Sequence, residues 1–540
     1  MTEQVDVPDL ESGGETHGSS NLPLDTTTME KFLKQNLLPI SVFITGACVL
    51  IIEVVAVRIL SPYYGNTIFT VSSVISVILA ALSVGYYAGG KFADRHPSLR
   101  WFFRIILVSG LVLLAFHFLG IIILPILSMS LSFTIGPLVS SLFLFLPPAL
   151  LLGALSPYAV KLQSVQFPEQ GVGSVAGKIF FWSTLGSIIG SLLAGFILIP
   201  HFGIDHIIIA TGIVLCILGF IPLAIFGFDK NHLFLSLFAG VFLTAITLFA
   251  VQQMRGDVLY SKDGVYEKIT IYDGTYAGRP ARFFQQDRSG SGAMFLDSDD
   301  PTDLVYDYTK YYSVYKVFKP DVQNALVMGG GAYSIPKVLL AELPNAAVDV
   351  SEIEPSLFNL AKEYFGVKDN SRLQNYIEDG RRLLRDSDKK YDLIFSDVYY
   401  SLFSIPAHFT TQEFFTIAKE RLADNGVFIA NLIGDLSRQQ PSLVMSEIKT
   451  FQSVFPNSYF FAVESPEKTT LQNIILVGYT GSKKIDLSAA ALLQNTNPII
   501  RSLQNKAIDV DKFDLSPYQI LTDNFSPVEY LTAKVLQRTF

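Results

Sequence analysis

Ala325-Leu-Val-Met-Gly-Gly-Gly331 is a short apolar run that ends in three glycines. A run of this length bounded by turn residues reads as a buried strand. Glycines after it let the backbone turn sharply and pass close to a ligand. The pattern repeats downstream. Val348-Asp-Val350 reads as a second strand, ending in Ser351-Glu-Ile-Glu354. Tyr376-Ile377 is a third, ending in Glu378-Asp-Gly380. Tyr391-Asp-Leu-Ile-Phe395 is a fourth, ending in Ser396-Asp397. Helices are expected over 334–343 and 356–365. Strands alternating with helices predict a parallel, doubly wound sheet with ligands at the carboxyl ends of its strands. Each tip then has a task. Gly329, Gly330 and Gly331 approach the ligand. An acid after strand two, Glu352 or Glu354, can accept both hydroxyl protons of a ribose. Asp379, followed by Gly380, can accept from an adenine amino group. The plainer alternative is that these acids cap helices.

Upstream of this core, residues 258–296 break into short, partly alternating runs punctuated by Asp273-Gly274 and Ser-Gly repeats, which predicts a small antiparallel sheet. A tyrosine-rich helical stretch over 303–318 follows. Earlier still the composition changes. The chain is 50% hydrophobic and 16% charged overall, but between Leu37 and Gln252 only 13 of 216 residues are charged. Seven stretches there have the roughly 20 apolar residues that a spanning helix needs: 37–60, 67–90, 101–126, 135–160, 176–199, 205–227 and 233–252. Residues 105–160 contain no Asp, Glu, Lys or Arg, which a soluble fold rarely sustains. Gly186, Gly190 and Ala194 recur at four-residue spacing in the fifth stretch, a helix-packing signal.

Four units are expected: a disordered polar tail over 1–36, a membrane domain over 37–252, a small sheet with its linking helix over 253–320, and a Rossmann-like domain over 321–540. The fold class is therefore a multi-pass α-helical membrane domain followed by an α/β, methyltransferase-type domain with a small N-terminal β-sheet. Loop charges set the orientation. Lys91, Arg95, Arg100 and Arg104 flank the second loop, Lys161 and Lys178 the fourth, and Lys230 lies in the sixth; the alternate loops carry none. This predicts a plasma (inner) membrane protein with a cytoplasmic N-terminus. Seven spans would leave the C-terminal domain outside the cytoplasm. Glu53 and Arg58 in the first span are costly in a bilayer and so are candidates for a polar membrane site. The net charge of −8 gives no basic footprint for nucleic acid. Whether the chain forms a homo-oligomer stays open.

The run Gly329-Gly-Gly331, Ser351-Glu-Ile-Glu354, Glu378-Asp-Gly380 and Phe395-Ser-Asp397 resembles the spermidine synthase (aminopropyltransferase) family, over about 258–540. Ile52-Glu-Val-Val-Ala-Val-Arg58, Ile405-Pro-Ala-His-Phe-Thr-Thr-Gln-Glu-Phe414 and Thr522-Asp-Asn-Phe-Ser-Pro-Val-Glu529 resemble its membrane-fused, transporter-like branch. The resemblance implies transfer of an aminopropyl group from decarboxylated S-adenosylmethionine to an amine or polyamine. That donor is a co-substrate; no permanently bound cofactor or metal is implied. By the same resemblance Glu352 binds the ribose, Asp379 the adenine, and Asp397 takes a proton from the attacking amine; Tyr306 belongs to the acceptor pocket. Departures fall on the same pocket. The family aspartate after the glycines is Ala332, its second acid is Tyr400, its glutamine near the first strand is Glu267, and its tyrosine–histidine/glutamine–glutamate segment is Tyr306-Asp307-Tyr308. The adenosine end is thus expected to be retained and the amine end rebuilt. Two other functions stay in view: an S-adenosylmethionine-dependent methyltransferase, and a transporter-like protein whose soluble domain senses a nucleoside or polyamine without turnover.

Overall fold

In a computed structural model the residues described are 26–225, 258–287, 289–399 and 405–539. The apolar half forms helices α1 (Thr26–Tyr64), α2 (Ile68–Arg95), α3 (Leu99–Ser130), α4 (Gly136–Leu144), α5 (Leu146–Gln166), α6 (Val172–His201) and α7 (Ile204–Ile225). Five of them are long and apolar enough to cross a membrane, and α4 with α5 would make a sixth span bent by 51°. Besides the buried core that holds Phe102, Phe103 and Ile106, the helices carry large apolar side chains on their outer surface, as at Leu79, Phe181 and Phe196, which a soluble bundle rarely shows. The seventh expected span, 233–252, lies outside the described residues.

Local chemistry explains the boundaries. Thr67 caps α2 by accepting from Thr70 N, and Ser98 caps α3 by accepting from Arg100 N, each satisfying an orphan donor. The stretch 135–160, expected to be one straight span, is broken at Phe145. Pro147 and Pro148 follow at the first turn of α5, where prolines are tolerated, whereas in mid-helix they would remove backbone donors and clash. Residues 26–36, expected to be part of a disordered tail, are already helical; Met29, Glu30, Lys31, Leu33, Lys34 and Gln35 are good helix formers. The small residues of α6 pack on α1. A Cβ on Gly186 would stand 1.9 Å from the Phe43 carbonyl oxygen, and one on Gly190 would stand 2.3 Å from that of Ala47.

The soluble half holds two sheets. Strands β1 (Val258–Asp263), β2 (Lys268–Tyr276), β3 (Arg279–Gln286) and β4 (Ser289–Phe295) form an antiparallel sheet in chain order. Behind it lie β5 (Asn324–Met328), β6 (Ala347–Ser351), β7 (Leu373–Tyr376), β8 (Tyr391–Ser396), β9 (Leu422–Gly434), β10 (Ser458–Ala462) and β11 (Gln472–Tyr479), ordered β10-β11-β9-β8-β5-β6-β7. β5 to β9 pair in parallel, and β10 and β11 run antiparallel at one edge. The central strands are buried along nearly their whole length, as a sheet covered on both faces requires. Strand order reverses between β5 and β8, so a crevice opens at their carboxyl ends. β7 ends at Tyr376, one residue before the expected end. Tyr376 is the last residue in register with β6, opposite Ser351, and Ile377 is exposed beyond it.

The soluble half meets one end of the helix bundle. Arg58 Nη2 donates to the Gly264 carbonyl at 2.9 Å, Ile204 N donates to Asp263 Oδ2 at 2.9 Å, and Ile68 N, at the start of α2, donates to the Glu529 carboxylate. The last is a favourable place for a negative charge, since a helix N-terminus is its positive end. Lys91, Arg95, Arg100 and Arg104 stand where α2 ends and α3 begins, at the opposite end of the bundle.

Candidate active site

The crevice encloses a cavity of about 380 Å³. Gly329, Gly330, Gly331, Glu352, Glu354, Asp379, Gly380, Asp397, Tyr306 and Glu267 all line it. Residues up to 130 positions apart in the sequence are thus brought to one place. Tyr400 lies outside the described residues. Glu53 and Arg58 lie on α1 away from this cavity; Arg58 holds the Gly264 carbonyl, and Glu53 has no hydrogen-bond or ion-pair partner among the described residues.

The glycine loop is dictated by crowding. Gly329 sits at φ +89, and a Cβ there would come 2.3 Å from the Asp397 carbonyl oxygen; Gly331 sits at φ +51 against Ser291. Only glycine meets both demands at position 329. Ala332 follows, packed so closely on the small sheet that a Cβ on Gly292 would be 2.6 Å from its own. Tyr333, buried and at φ +55, closes the loop, its hydroxyl donating to Asn375 Oδ1 at 2.6 Å.

The acids at the strand tips have distinct surroundings. Glu352 is buried; Oε2 accepts from Gly330 N at 2.7 Å and Oε1 from Glu354 N at 2.8 Å. Burial pushes its pKa up, while these amide bonds work against the rise. Its oxygens keep lone pairs toward the cavity, enough for a pair of hydroxyls. Glu354 is otherwise engaged. Oε2 accepts from Val265 N and Tyr266 N, and Oε1 from Ser356 Oγ. It ties the β1–β2 loop to the core, which leaves Glu352 as the acid at this tip with lone pairs open to the cavity. Asp379 caps the helix Gly380–Asp386 through Arg382 N at 3.0 Å and meets His408 Nε2 at 2.9 Å. Burial works to raise its pKa, but the His408 and amide hydrogen bonds outweigh it and leave the carboxyl low and charged.

The other end of the cavity is built from side chains that arrive from several elements. Asp397 accepts from Asn431 Nδ2 on β9 at 2.9 Å, and Asn473 Nδ2 on β11 steadies Asn431 Oδ1 at 2.9 Å. The Tyr308 phenol lies beside the same carboxylate and favours its charged form. Burial raises the Asp397 pKa against the pull of the Asn431 amide and the Tyr308 phenol, and burial beside Asp397 drives the Tyr308 phenol well up. Tyr306 stacks on Tyr308 with ring centroids 6.1 Å apart, and burial lifts its phenol to about 12. Glu267 is buried with Oε2 unpartnered among the described residues. Burial, then the nearby Asp287 and Glu352 carboxylates, hold its pKa well above the carboxylate range. In the loop after β4, Asp297 and Asp303 are paired with Arg279.

Asn431, Asn473 and His408 escaped the sequence reading as site residues, while Tyr308 entered it only as part of the 306–308 segment. A polar residue inside the apolar run Val427-Phe-Ile-Ala-Asn-Leu-Ile433 was the available signal for Asn431, and His408 sits within the 405–414 motif. The lining carries six carboxyl groups, those of Glu267, Glu352, Glu354, Glu378, Asp379 and Asp397, and no Lys, Arg or His among the described residues.

Residues 312–488 match the spermine/spermidine synthase domain family. The polyamine aminopropyltransferase of Vibrio vulnificus is 23% identical over 297 residues, 53% of this chain and 95% of that protein. Polyamine aminopropyltransferase 2 of Aquifex aeolicus is 23% identical over 417 residues, 73% of this chain and 78% of that protein, a match longer than the soluble half and so reaching into the helices. A solved structure of a probable spermidine synthase from Corynebacterium glutamicum, 21% identical, covers 50% of this chain and 97% of its own with a TM-score of 0.41.

Proposed function

We propose that this chain, whose residues 312–488 match the spermine/spermidine synthase domain family, is a membrane-bound aminopropyltransferase that uses decarboxylated S-adenosylmethionine on an amine. The observation that carries the reading is the charge of the cavity. Six carboxyl groups and no cationic side chain among the described lining residues suit a cationic sulfonium and an amine. They repel a ligand carboxylate, which favours the decarboxylated donor over S-adenosylmethionine itself and so over methyl transfer.

In this reading Glu352 accepts from the ribose hydroxyls, the loop 329–331 passes beneath them, and Asp379 receives the adenine amino group. The acceptor nitrogen lies between Tyr306 and Asp397. Its lone pair attacks the carbon next to the sulfonium, the C–S bond breaks, and methylthioadenosine leaves. The nitrogen's proton passes to Asp397. The sulfonium is already a good leaving group, so holding the reactants in line and removing one proton suffices. Tyr308 and Asn431 act on Asp397 as positioning residues.

The placement of lysine and arginine at the end of the bundle away from the soluble half supports a cytoplasmic N-terminus with the transferase on the other side of the membrane. Transfer there draws on a donor carried across the membrane. A reporter fused after Phe540 that is active only in the cytoplasm should stay silent. Donor binding is tested by thermal unfolding of the full chain with methylthioadenosine, which should raise the melting temperature by mass action; no rise would remove the adenosine assignment.

A further inference from the structure

The small sheet has a second face. Along β2 and its approach, Glu267 and Ile269 look into the acidic cavity, while Lys268 and Thr270 look the other way. At the end of β3, Gln286 faces the first side and Asp287 the second. This is the two-residue alternation of a strand. The second face closes a separate cavity of about 400 Å³, whose remaining walls are α1, α3, α7, the end of α4 at Leu144 and Phe145, and Asp263 at the end of β1.

Three independent features mark this junction cavity. Ionisable groups of the helices converge on it: Arg58 from α1, His117 from α3 and Asp205 from α7. Such groups are expensive in a membrane segment and mark a functional path by default. The broken helix also faces it, through Leu144 and Phe145 at the bend. Interrupted helices are tolerated at membrane depth where they line a cavity, and they build solute sites in many transport folds. The third feature is how the charges are matched. Arg58 holds the Gly264 carbonyl, and His117 Nε2 stands 3.3 Å from Asp205 Oδ1. The Lys268 ammonium has no hydrogen-bond or ion-pair partner among the described residues. Asp287 uses Oδ1 to accept from Lys268 N at 3.0 Å, and its Oδ2 has no partner among them.

Lys268 and Asp287 lie within electrostatic reach of each other, and Lys268 of Asp205 and Arg58 of Asp287 as well. Yet the Lys268 ammonium and Asp287 Oδ2 keep no hydrogen bond or ion pair among the described residues. A cation and an anion left open on one wall complement a molecule that carries both charges. We propose that the junction cavity is a second ligand site, for a small zwitterionic amino compound whose ammonium meets Asp287 and whose anionic end meets Lys268. The apolar part of the ligand lies along α3 and the α4–α5 bend. The same chemistry is found in a free amino acid and in the headgroup of an amino-phospholipid. The site rests on the back of the sheet alone and stands whether or not the front catalyses transfer.

The test is thermal unfolding of the full chain in detergent with 4-aminobutyrate, butyrate or 1,4-diaminobutane. The zwitterion should raise the melting temperature and the two single-sign probes should not. Lys268→Met and Asp287→Asn should each abolish the shift while leaving the ligand-free melting temperature and far-UV circular dichroism near wild type. Because either variant could disturb the sheet, a second measurement uses only the unmodified protein, in nanodiscs. Loss of the 4-aminobutyrate shift in phosphatidylethanolamine discs but not in phosphatidylglycerol discs identifies the lipid headgroup as the occupant. A shift in both identifies the free amino acid. No shift with 4-aminobutyrate in detergent, or an equal shift with either single-sign probe, overturns the site.

Discussion

The two ends of the acidic cavity are made in different ways. The glycine end is built by backbone at consecutive strand tips: Gly329 to Gly331 after β5, Glu352 after β6, Asp379 after β7. The Asp397 end is built by side chains from segments far apart, with Tyr306 and Tyr308 from the linking stretch, Asn431 from β9 and Asn473 from β11. The first end follows from the fold, since each of its groups stands directly after the strand that positions it. The second depends on individual side chains, so specificity can change there without disturbing the sheet. The Asp397 end is also where the sequence departs from the pattern it resembles, with the Tyr308 phenol set beside the aspartate.

The comparison breaks most visibly at Asp397. Asp397→Asn should lower turnover by about 100- to 10,000-fold, the usual range for a lost general base, with methylthioadenosine binding by calorimetry unchanged. Wild-type turnover in the variant would mean that the amine end lacks its assigned base. Glu352→Ala addresses the other end. It leaves ribose hydroxyls without an acceptor, at about 1–3 kcal/mol, so methylthioadenosine affinity should fall roughly 10- to 100-fold, with a melting curve recorded alongside. Gly329→Ala tests whether the backbone makes that end. An alanine at φ +89 facing the Asp397 carbonyl should cost at least about 1–3 kcal/mol, seen as a drop in melting temperature; an unchanged value would mean that the loop is not held as described.

A smaller effect concerns pH. Transfer needs the Asp397 carboxylate, so the rate should rise as pH climbs through its pKa, which burial holds above the ordinary value of about 3.9. The neighbouring Tyr308 phenol favours the charged form. Tyr308→Phe should therefore move the midpoint of the rate profile upward, and a downward move would assign the phenol a different role.

What the sequence made legible follows the same division. The alternation of apolar runs with glycine and acid tips exposed β5 to β8 and every residue of the adenosine-type end, because those residues stand next to the strands that position them. The break at Phe145 was hidden because an apolar stretch of spanning length looks the same whether straight or bent; only Pro147 and Pro148 hinted at it. Glu354 was indistinguishable from Glu352 on the chain, and only the β1–β2 loop folding over it shows that its oxygens are taken. Asn431 and Asn473 touch Asp397 directly or through one another only after β9 and β11 add to the edge of the sheet, an event of long range with no local signature. The junction cavity was equally hidden, since Lys268 and Asp287 acquire their setting from helices more than 50 residues upstream.

The central claim is that one cavity joins an adenosine-binding end to a base that serves an amine. It is tested most directly by incubating the purified full chain with decarboxylated S-adenosylmethionine and a panel of aliphatic amines, then measuring methylthioadenosine and alkylated amine by mass spectrometry. The account predicts equal amounts of the two products, and neither with Asp397→Asn. Formation of S-adenosylhomocysteine from S-adenosylmethionine, with no methylthioadenosine from the decarboxylated donor, would contradict it.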